Sequence, residues 1–338
     1  MKIAIHHNIG SFSDRWIEYC IAHNIEFVII DAYSSNIIKE LEDFDYFLWH
    51  WTHTDYRDLL FARQLIQSLE QNGVKVFPNV KTCWHFDDKV GQKYLLEALG
   101  VPLIRSYVFY TKDSAKSWVN STIFPKVFKL RGGAGSVNVK LVESRREANN
   151  LIKIAFGKGF TSKNLKSRIK DALIKFNKDK SLKNFGRIVF RLKELIVPNL
   201  LNKMGPRQKG YIYFQDFIKN NNFDIRIVVI GDKCFGLKRL TRDGDFRASG
   251  SGKIIYDHSL IDINAIKVAF ETTSKLDVQC CAFDFVFDED NQPLIIEISF
   301  GFSPYSYDSC DGYWDSSLKW YNSKFNPQFW MIENLINI

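Results

Sequence analysis

CAFDFVFDEDNQPLIIEISF, residues 281–300, reads as two strands folded back on each other. Apolar residues fill both arms, and DEDNQP between them is rich in the residues that make turns. Two carboxylates interrupt the arms, Asp284 in FDFVF and Glu297 in IIEIS. A carboxylate in so apolar a strand is costly to bury without a partner, so each calls for a cation. If the arms pair across the turn, the two carboxylates lie on adjacent antiparallel strands and can point to one face. That is a natural Mg²⁺ site, because Mg²⁺ takes a few carboxylates and leaves room for phosphate oxygens.

The neighbouring segments repeat the pattern. GYIYFQDFI (210–218) and FDIRIVVIGDKCFGLKRL (223–240) are strand signals, with IGDK a second turn, and AIKVAFETTSKL (265–276) is a helix. This half reads as α+β with an antiparallel sheet. Its polar residues form a set: Asp216 follows a strand, Asp224 and Arg226 open the next, and Arg239, Arg242 and Arg247 surround the loop GDFRASGSGK. Further upstream, FKLRGGAGSVNV (128–139) places Lys129 three residues before a Gly-Gly-x-Gly cluster. Taken alone this is an ordinary hairpin turn. Beside the other cations it suits phosphate, which free backbone N–H groups and an ammonium can surround. Lys89 follows two aspartates at the start of the helix DDKVGQKYLLEALGVP (87–102). Such lysines and arginines would neutralise a triphosphate.

The first third alternates apolar runs (KIAIHH, IEFVIIDA, DYFLWHW, VKVFPN) with helical stretches, the clearest being DYRDLLFARQLIQSLEQNG (55–73). Such alternation predicts a parallel sheet covered on both faces. No GxGxxG follows the first strand, so a dinucleotide role has no support. The stretch WHWTHTDY (49–56) reads as core plus a helix start, with substrate contact the lesser alternative, and His6, His7, His50, His53 and His85 read as structural histidines. With 338 residues, 46% of them hydrophobic, the chain suffices for two or three domains. The six cysteines show no CxxC spacing, no apolar run reaches the ~20 residues that span a bilayer, and MKIAIHH lacks signal-peptide character. The expected location is the cytoplasm.

The net charge of +8 is uneven: Lys153–Lys209 holds 16 Lys and Arg against 3 acids, so it carries +13 and the remainder −5. Within it LKSRIKDALIKF (165–176) puts Leu165, Ile169 and Leu173 on one helical face amid basic residues. That suggests a partner that is anionic and large, an acidic glycan, a nucleotide sugar or a lipid-linked intermediate at a membrane surface, with the chain then peripheral to the inner face of the membrane. Nucleic acid is disfavoured, because the segment's phenylalanines fall partly at core spacing rather than on a stacking platform.

The ordered set PKVFKLRGGAGSV, YFQDFI, DIRIVVIGD, GDFRASGSG, FDFVF and IIEIS resembles an ATP-grasp ligase, most nearly the branch of the ribosomal-protein S6 glutamate ligase. The resemblance spans about residues 80–305 outside the basic segment. It implies an α/β and α+β fold divided into an N-terminal α/β domain (1–80), a small subdomain with the glycine loop (81–152), a basic helical insertion (153–209) and a C-terminal subdomain (210–338). It implies ATP, with Mg²⁺ or Mn²⁺, as cofactors. Lys89, Lys129, Gly133, Gly135, Ser136, Asp216, Phe217, Asp224 and Ser249 match nucleotide-binding positions. Asp284 and Glu297 match metal-binding carboxylates, with Ser299 where the family carries asparagine. Arg226 and Arg239 are the candidates for holding the reacting carboxylate and developing phosphate charge, and Arg247, a further catalytic candidate, falls with Ser249 in the loop over the triphosphate. The activity implied is amide formation through an acylphosphate, with a small molecule or glycan bearing a carboxylate as substrate. GYWD (312–315) and WYNSKFNPQFW (320–330) resemble tails of ATP-grasp proteins of bacterial surface-polysaccharide biosynthesis. Ser299 keeps a rival open, an ATP-binding regulator or scaffold with weak catalysis.

Overall fold

The computed structural model describes residues 1–133, 138–161, 207–242 and 244–336, with 180, 186 and 189 between them. Gly135, Ser136 and the basic helix expected over 165–176 lie outside the described residues.

The N-terminal unit is a parallel sheet of β1 (Ile3–His6), β2 (Phe27–Ile29), β3 (Tyr46–Trp49) and β4 (Lys75–Phe77), in the order β2-β1-β3-β4. Its helices are α1 (Phe12–Ala22), the short α2 (Ile37–Glu40) and α3 (Tyr56–Gln71). The Ser11 hydroxyl caps α1 and the Asp55 carboxylate caps α3, accepting from Ser13 N and Arg57 N respectively. β1 and β3 are buried throughout, as unbroken apolar runs require. The edge strand β2 departs from the expected double coverage, leaving Val28 and Ile29 exposed. The chain leaves β1 in one direction to β2 and returns to its other side as β3. Ligands of such sheets bind where strand order reverses, outside the carboxyl ends. Those ends here carry residues 7–11 and 50–54.

The short α4 (Val80–Cys83) leads to α5 (Lys89–Ala98) and a small antiparallel sheet. That sheet comprises β5 (Ser106–Phe109), β6 (Lys126–Lys129), β7 (Lys140–Val142) and β8 (Ile212–Asp216), in the order β5-β8-β6-β7. α6 (Lys112–Ser121) and α7 (Arg145–Ala155) complete it. Two expected boundaries move. β8 was assigned to the C-terminal unit, yet Ile212 and Phe214 enter the core of the small one. The basic insertion was bounded at 153, yet Ile152 and Ala155 of α7 are buried in that same core. Phe160 and Gln208 exchange backbone hydrogen bonds, so the basic segment departs and returns at one point.

The large sheet holds β9 (Phe223–Ile230), β10 (Lys233–Leu240), β11 (Ile254–Ile255), β12 (Cys280–Phe287), β13 (Pro293–Ser299), β14 (Tyr313–Asp315) and β15 (Trp320–Tyr321). The order is β13-β12-β9-β10-β14-β15, with β11 beside β10, and every pairing is antiparallel. Helix α8 (Ile263–Leu276) shares a core with one face, through Ile225, Ile227, Phe283 and Ile298. The opposite face changes character along its length. Val228, Ile230, Phe235 and Ala282 share a core with α9 (Pro327–Ile336) and with Ile3, Ile5 and Trp16 of the N-terminal unit. Two residues further along the same strands this face turns charged, with Arg226, Arg239 and Asp284. The N-terminal unit therefore shares one core with the large sheet and builds a second on its other face, where Phe47, Trp49, Leu65 and Ile66 pack with Phe300. Among the described residues no helix is long and apolar enough to cross a membrane.

Candidate active site

The pairing register brings the charged residues together. Asp284 on β12 stands opposite Glu297 on β13 and opposite Arg226 on β9, while Arg239 on β10 stands opposite Asp224. A bulge makes this work. Phe285 pairs with Ile295, so Ile296 is an extra residue between the two pairs. Ile295 packs toward α8, and strict alternation would have sent Glu297 there as well. The bulge turns Glu297 into the cleft instead.

Arg239 grips Asp224 with Nε and Nη2 at 2.6 and 2.8 Å. Its Nη2 also lies 2.9 Å from Asp284 Oδ1, and Arg226 Nε lies 3.6 Å from the same oxygen. Neither approach has hydrogen-bonding geometry, so among the described residues Asp284 Oδ1 is ion-paired yet accepts no hydrogen bond. Burial alone would raise the Asp284 carboxyl, but Arg226 and Arg239 outweigh it and hold it below the usual range. Asp224 goes the other way: burial pushes it up to about 6, with Arg239 opposing and Asp284 reinforcing. Both Asp224 oxygens accept from Arg239, a bracing arrangement, while the residue also lines the cleft.

Two buried lysines face this sheet. Lys89, the first residue of α5, donates from Nζ to Glu297 Oε1 at 3.0 Å and to the Gly133 carbonyl at 2.8 Å. Burial lowers it, but Glu297 and Asp87 prevail and keep its ammonium above its ordinary value. Lys129, at the end of β6, donates to Gln215 Oε1 at 2.6 Å. Burial pulls it down to about 8, against Glu297 and with Lys89 assisting.

The start of the glycine loop is docked on the start of α5. Gly133, at φ +115, donates its N–H to Asp87 Oδ1 at 2.6 Å, and Lys89 N donates to the Arg131 carbonyl at 2.9 Å. A Cβ on Gly132 would meet Asp87 Oδ2 at 2.8 Å, so glycine is needed there for close approach.

At the other end Lys126 Nζ pairs with Asp216 Oδ1 at 2.5 Å, and Phe217 meets Phe246 edge-on at 5.6 Å. Arg247 pairs with Asp245 at 2.6 Å, and the Ser249 carbonyl accepts from Arg242 at 2.9 Å. All of these surround one cleft of about 430 Å³, lined by Lys89, Lys129, Gly133, Asp216, Phe217, Asp224, Arg226, Arg247, Ser249, Asp284, Glu297 and Ser299. Arg239 stands behind it, bracing both aspartates. Sequence reading missed Gln215 and Asp87, although Gln215 sits inside YFQDFI and Asp87 inside DDK. It gave substrate contact as the lesser alternative for 49–56, and His50, Thr52 and His53 line the cleft.

Residues 192–304 match the RimK-like ATP-grasp domain. This is an ATP-grasp fold. The ATP-grasp chain superposes over its whole length on a RimK domain ATP-grasp protein from Sphaerobacter thermophilus, at TM-score 0.58 and 14% identity, covering 100% of that chain. It does so equally on D-alanine–D-alanine ligase from Bacillus anthracis complexed with ATP, at TM-score 0.58 and 14% identity over 97% of that chain. Against biotin carboxylase from Campylobacter jejuni the TM-score is 0.56 at 15% identity, covering 90% of this chain and 66% of that one. No curated protein matches the chain in sequence.

Proposed function

We propose that the chain is an ATP-dependent carboxylate–amine ligase that works through an acylphosphate. The observation that carries this is the register of β9, β12 and β13, which sets two carboxylates and Arg226 in one row facing two buried lysines. Such a row matches a nucleotide's phosphates and a metal on one side and an anionic substrate on the other. The named activities of the ligases that share the fold support the same reading.

The donor set suits Mg²⁺ or Mn²⁺. Among the described residues Asp284 Oδ1 is buried without a hydrogen bond, Glu297 opens to the cleft, and both are hard oxygen donors. Among the described residues no cluster of three or more acidic, His or Cys side chains could complete the shell. Asp284 and Glu297 would hold the ion with phosphate oxygens filling other positions. Ser299 is a weaker third ligand, since its hydroxyl already donates to the Gly301 carbonyl at 2.7 Å and accepts from Gly301 N at 3.1 Å. When bound, the metal supplies neutralisation of phosphate charge. Lys89 and Lys129 would add positive charge from the opposite wall, and Phe217 and Asp216, which line the same cleft, would frame the base and ribose. Arg226 and Arg247 would orient the carboxylate for attack on the terminal phosphate, chiefly by positioning and preorganised charge. Release of ADP screened against acidic sugars and amino acids tests the reading. ATP binding without ADP release from any of them would favour a nucleotide-binding regulator.

Lys129 allows a sharper test. Lys129→Ala should weaken MgADP binding at least tenfold, about 1.4 kcal/mol. In the natural protein, affinity should fall as pH rises through about 8, where the ammonium is lost. Stability of the free protein moves oppositely: between about 8 and the unfolded value near 10.4 the unfolded chain binds the extra proton, so Lys129's contribution rises with pH. Calorimetric titration from pH 7 to 9 reads the first effect. A Lys129→Ala variant with the same pH dependence as the natural protein would remove Lys129 from the phosphate site.

A further inference from the structure

The N-terminal end of the cleft carries chemistry that nucleotide binding leaves unused. His50 follows β3 at the reversal point of the parallel sheet, and its ring stacks on Phe12 with centroids 3.6 Å apart and planes 5° from parallel. Phe12 begins α1, where amide groups lack helical partners, and its N–H donates to His50 Nδ1 at 3.1 Å. Nδ1 therefore carries a lone pair, and a neutral ring must hold its proton on Nε2. Burial drives the His50 pKa down to about 3, with His53 assisting, so the ring stays neutral. Among the described residues Nε2 makes no hydrogen bond, and it opens into the cleft beside Gly301.

The loop that carries His50 is fixed. Thr52 N donates to Asp58 Oδ2 at 2.7 Å, and the buried Asp58 also accepts from Tyr33 at 2.5 Å. The Thr52 and Thr54 hydroxyls lie 2.6 Å apart at the cleft wall, and Phe86 and Phe302 supply apolar walls nearby. A rigid, uncharged N–H with no partner selects for an oxygen lone pair. It has no acceptor to offer an ammonium group.

We propose that this end of the cleft is the subsite for an oxygen-acceptor group, a carboxylate or carbonyl on a small, partly apolar molecule, and that His50 recognises it through a neutral Nε2–H donor. Calling the occupant the ligase's substrate rests on the function proposed above; the subsite itself does not.

The test uses full-length protein labelled with ¹⁵N in histidine and at its amides, saturated with MgADP at pH 7, with acetate as the probe. His50 should show the Nε2–H tautomer, and acetate should shift that signal and the Thr52 and Thr54 amides saturably. His50→Asn keeps an oxygen able to accept from Phe12 N but loses the cleft donor. It should keep MgADP affinity and weaken acetate, read at the amides, by at least roughly tenfold, as expected for one hydrogen bond to a charged acceptor. His50→Gln, which carries an N–H near the Nε2 position, should recover part of that loss. A Nδ1–H tautomer, no saturable shift, or equal acetate affinity in His50→Asn would overturn the proposal. Acetate binding at His50 in a protein that fails to bind MgADP would sink the ligase reading and leave the subsite standing.

Discussion

Arg239→Ala is expected to destabilise the protein by about 3–5 kcal/mol, the range for removing one partner of a buried ion pair. Arg239 is the only residue that touches both Asp224 and Asp284 among the described ion pairs, with contacts from 2.6 to 2.9 Å. Without it two carboxylates on neighbouring strands lose their shared guanidinium, and Asp284 keeps only Arg226, at 3.6 Å, and the more distant charge of Lys129 among the described residues. Urea unfolding reads the loss as a lower midpoint at unchanged slope. Lowering the pH from 7.5 to 5 should recover part of it, because a protonated carboxyl is cheaper to bury than a carboxylate. An unchanged midpoint would mean that Arg239 is not the brace of this sheet.

Glu297→Gln should cut carboxylate-dependent ADP release by at least roughly 100-fold, about 2.7 kcal/mol in the barrier, while MgADP binding weakens far less. Glutamine keeps the size of the side chain and an oxygen for Lys89, so the fold should survive; what goes is the charge that would hold a divalent ion. Mn²⁺ binding in the presence of ADP, followed by electron paramagnetic resonance, reads the same loss without turnover. Ser299→Asn should be tolerated and should tighten Mn²⁺, since an amide carbonyl is a better ligand than a hydroxyl already engaged with Gly301. Full turnover and unaltered Mn²⁺ affinity in Glu297→Gln would end the assignment of this carboxylate to the metal.

Much of this architecture was legible in the chain. The strand runs 3–6, 46–49 and 75–77, the helix 56–71, and the hairpins over 223–240 and 280–299 follow from hydrophobic period and turn residues. So does the association of Asp284 and Glu297, because carboxylates in apolar strands demand a partner, and Lys129 joins them only when its glycine cluster is read beside the other charged residues. The legible features are local, repeating within a few residues and owing little to the rest of the chain.

What the sequence determined, then, was which residues bear charge in places where charge must be compensated. Only the tertiary structure decided who compensates whom. The bulge at Ile296 turns Glu297 to the face of Asp284, and a one-residue difference in register would have buried it against α8. β8 crosses from beyond the basic segment into the small sheet, bringing Gln215 to Lys129 across 86 positions of chain. His50 becomes a cleft donor only because the first amide of α1, 38 residues away, takes its other nitrogen. Period and composition carry no record of such pairings. They are set by which surfaces pack together, and the packing of the large sheet against α9 and the N-terminal unit is what brings these groups within reach of one another.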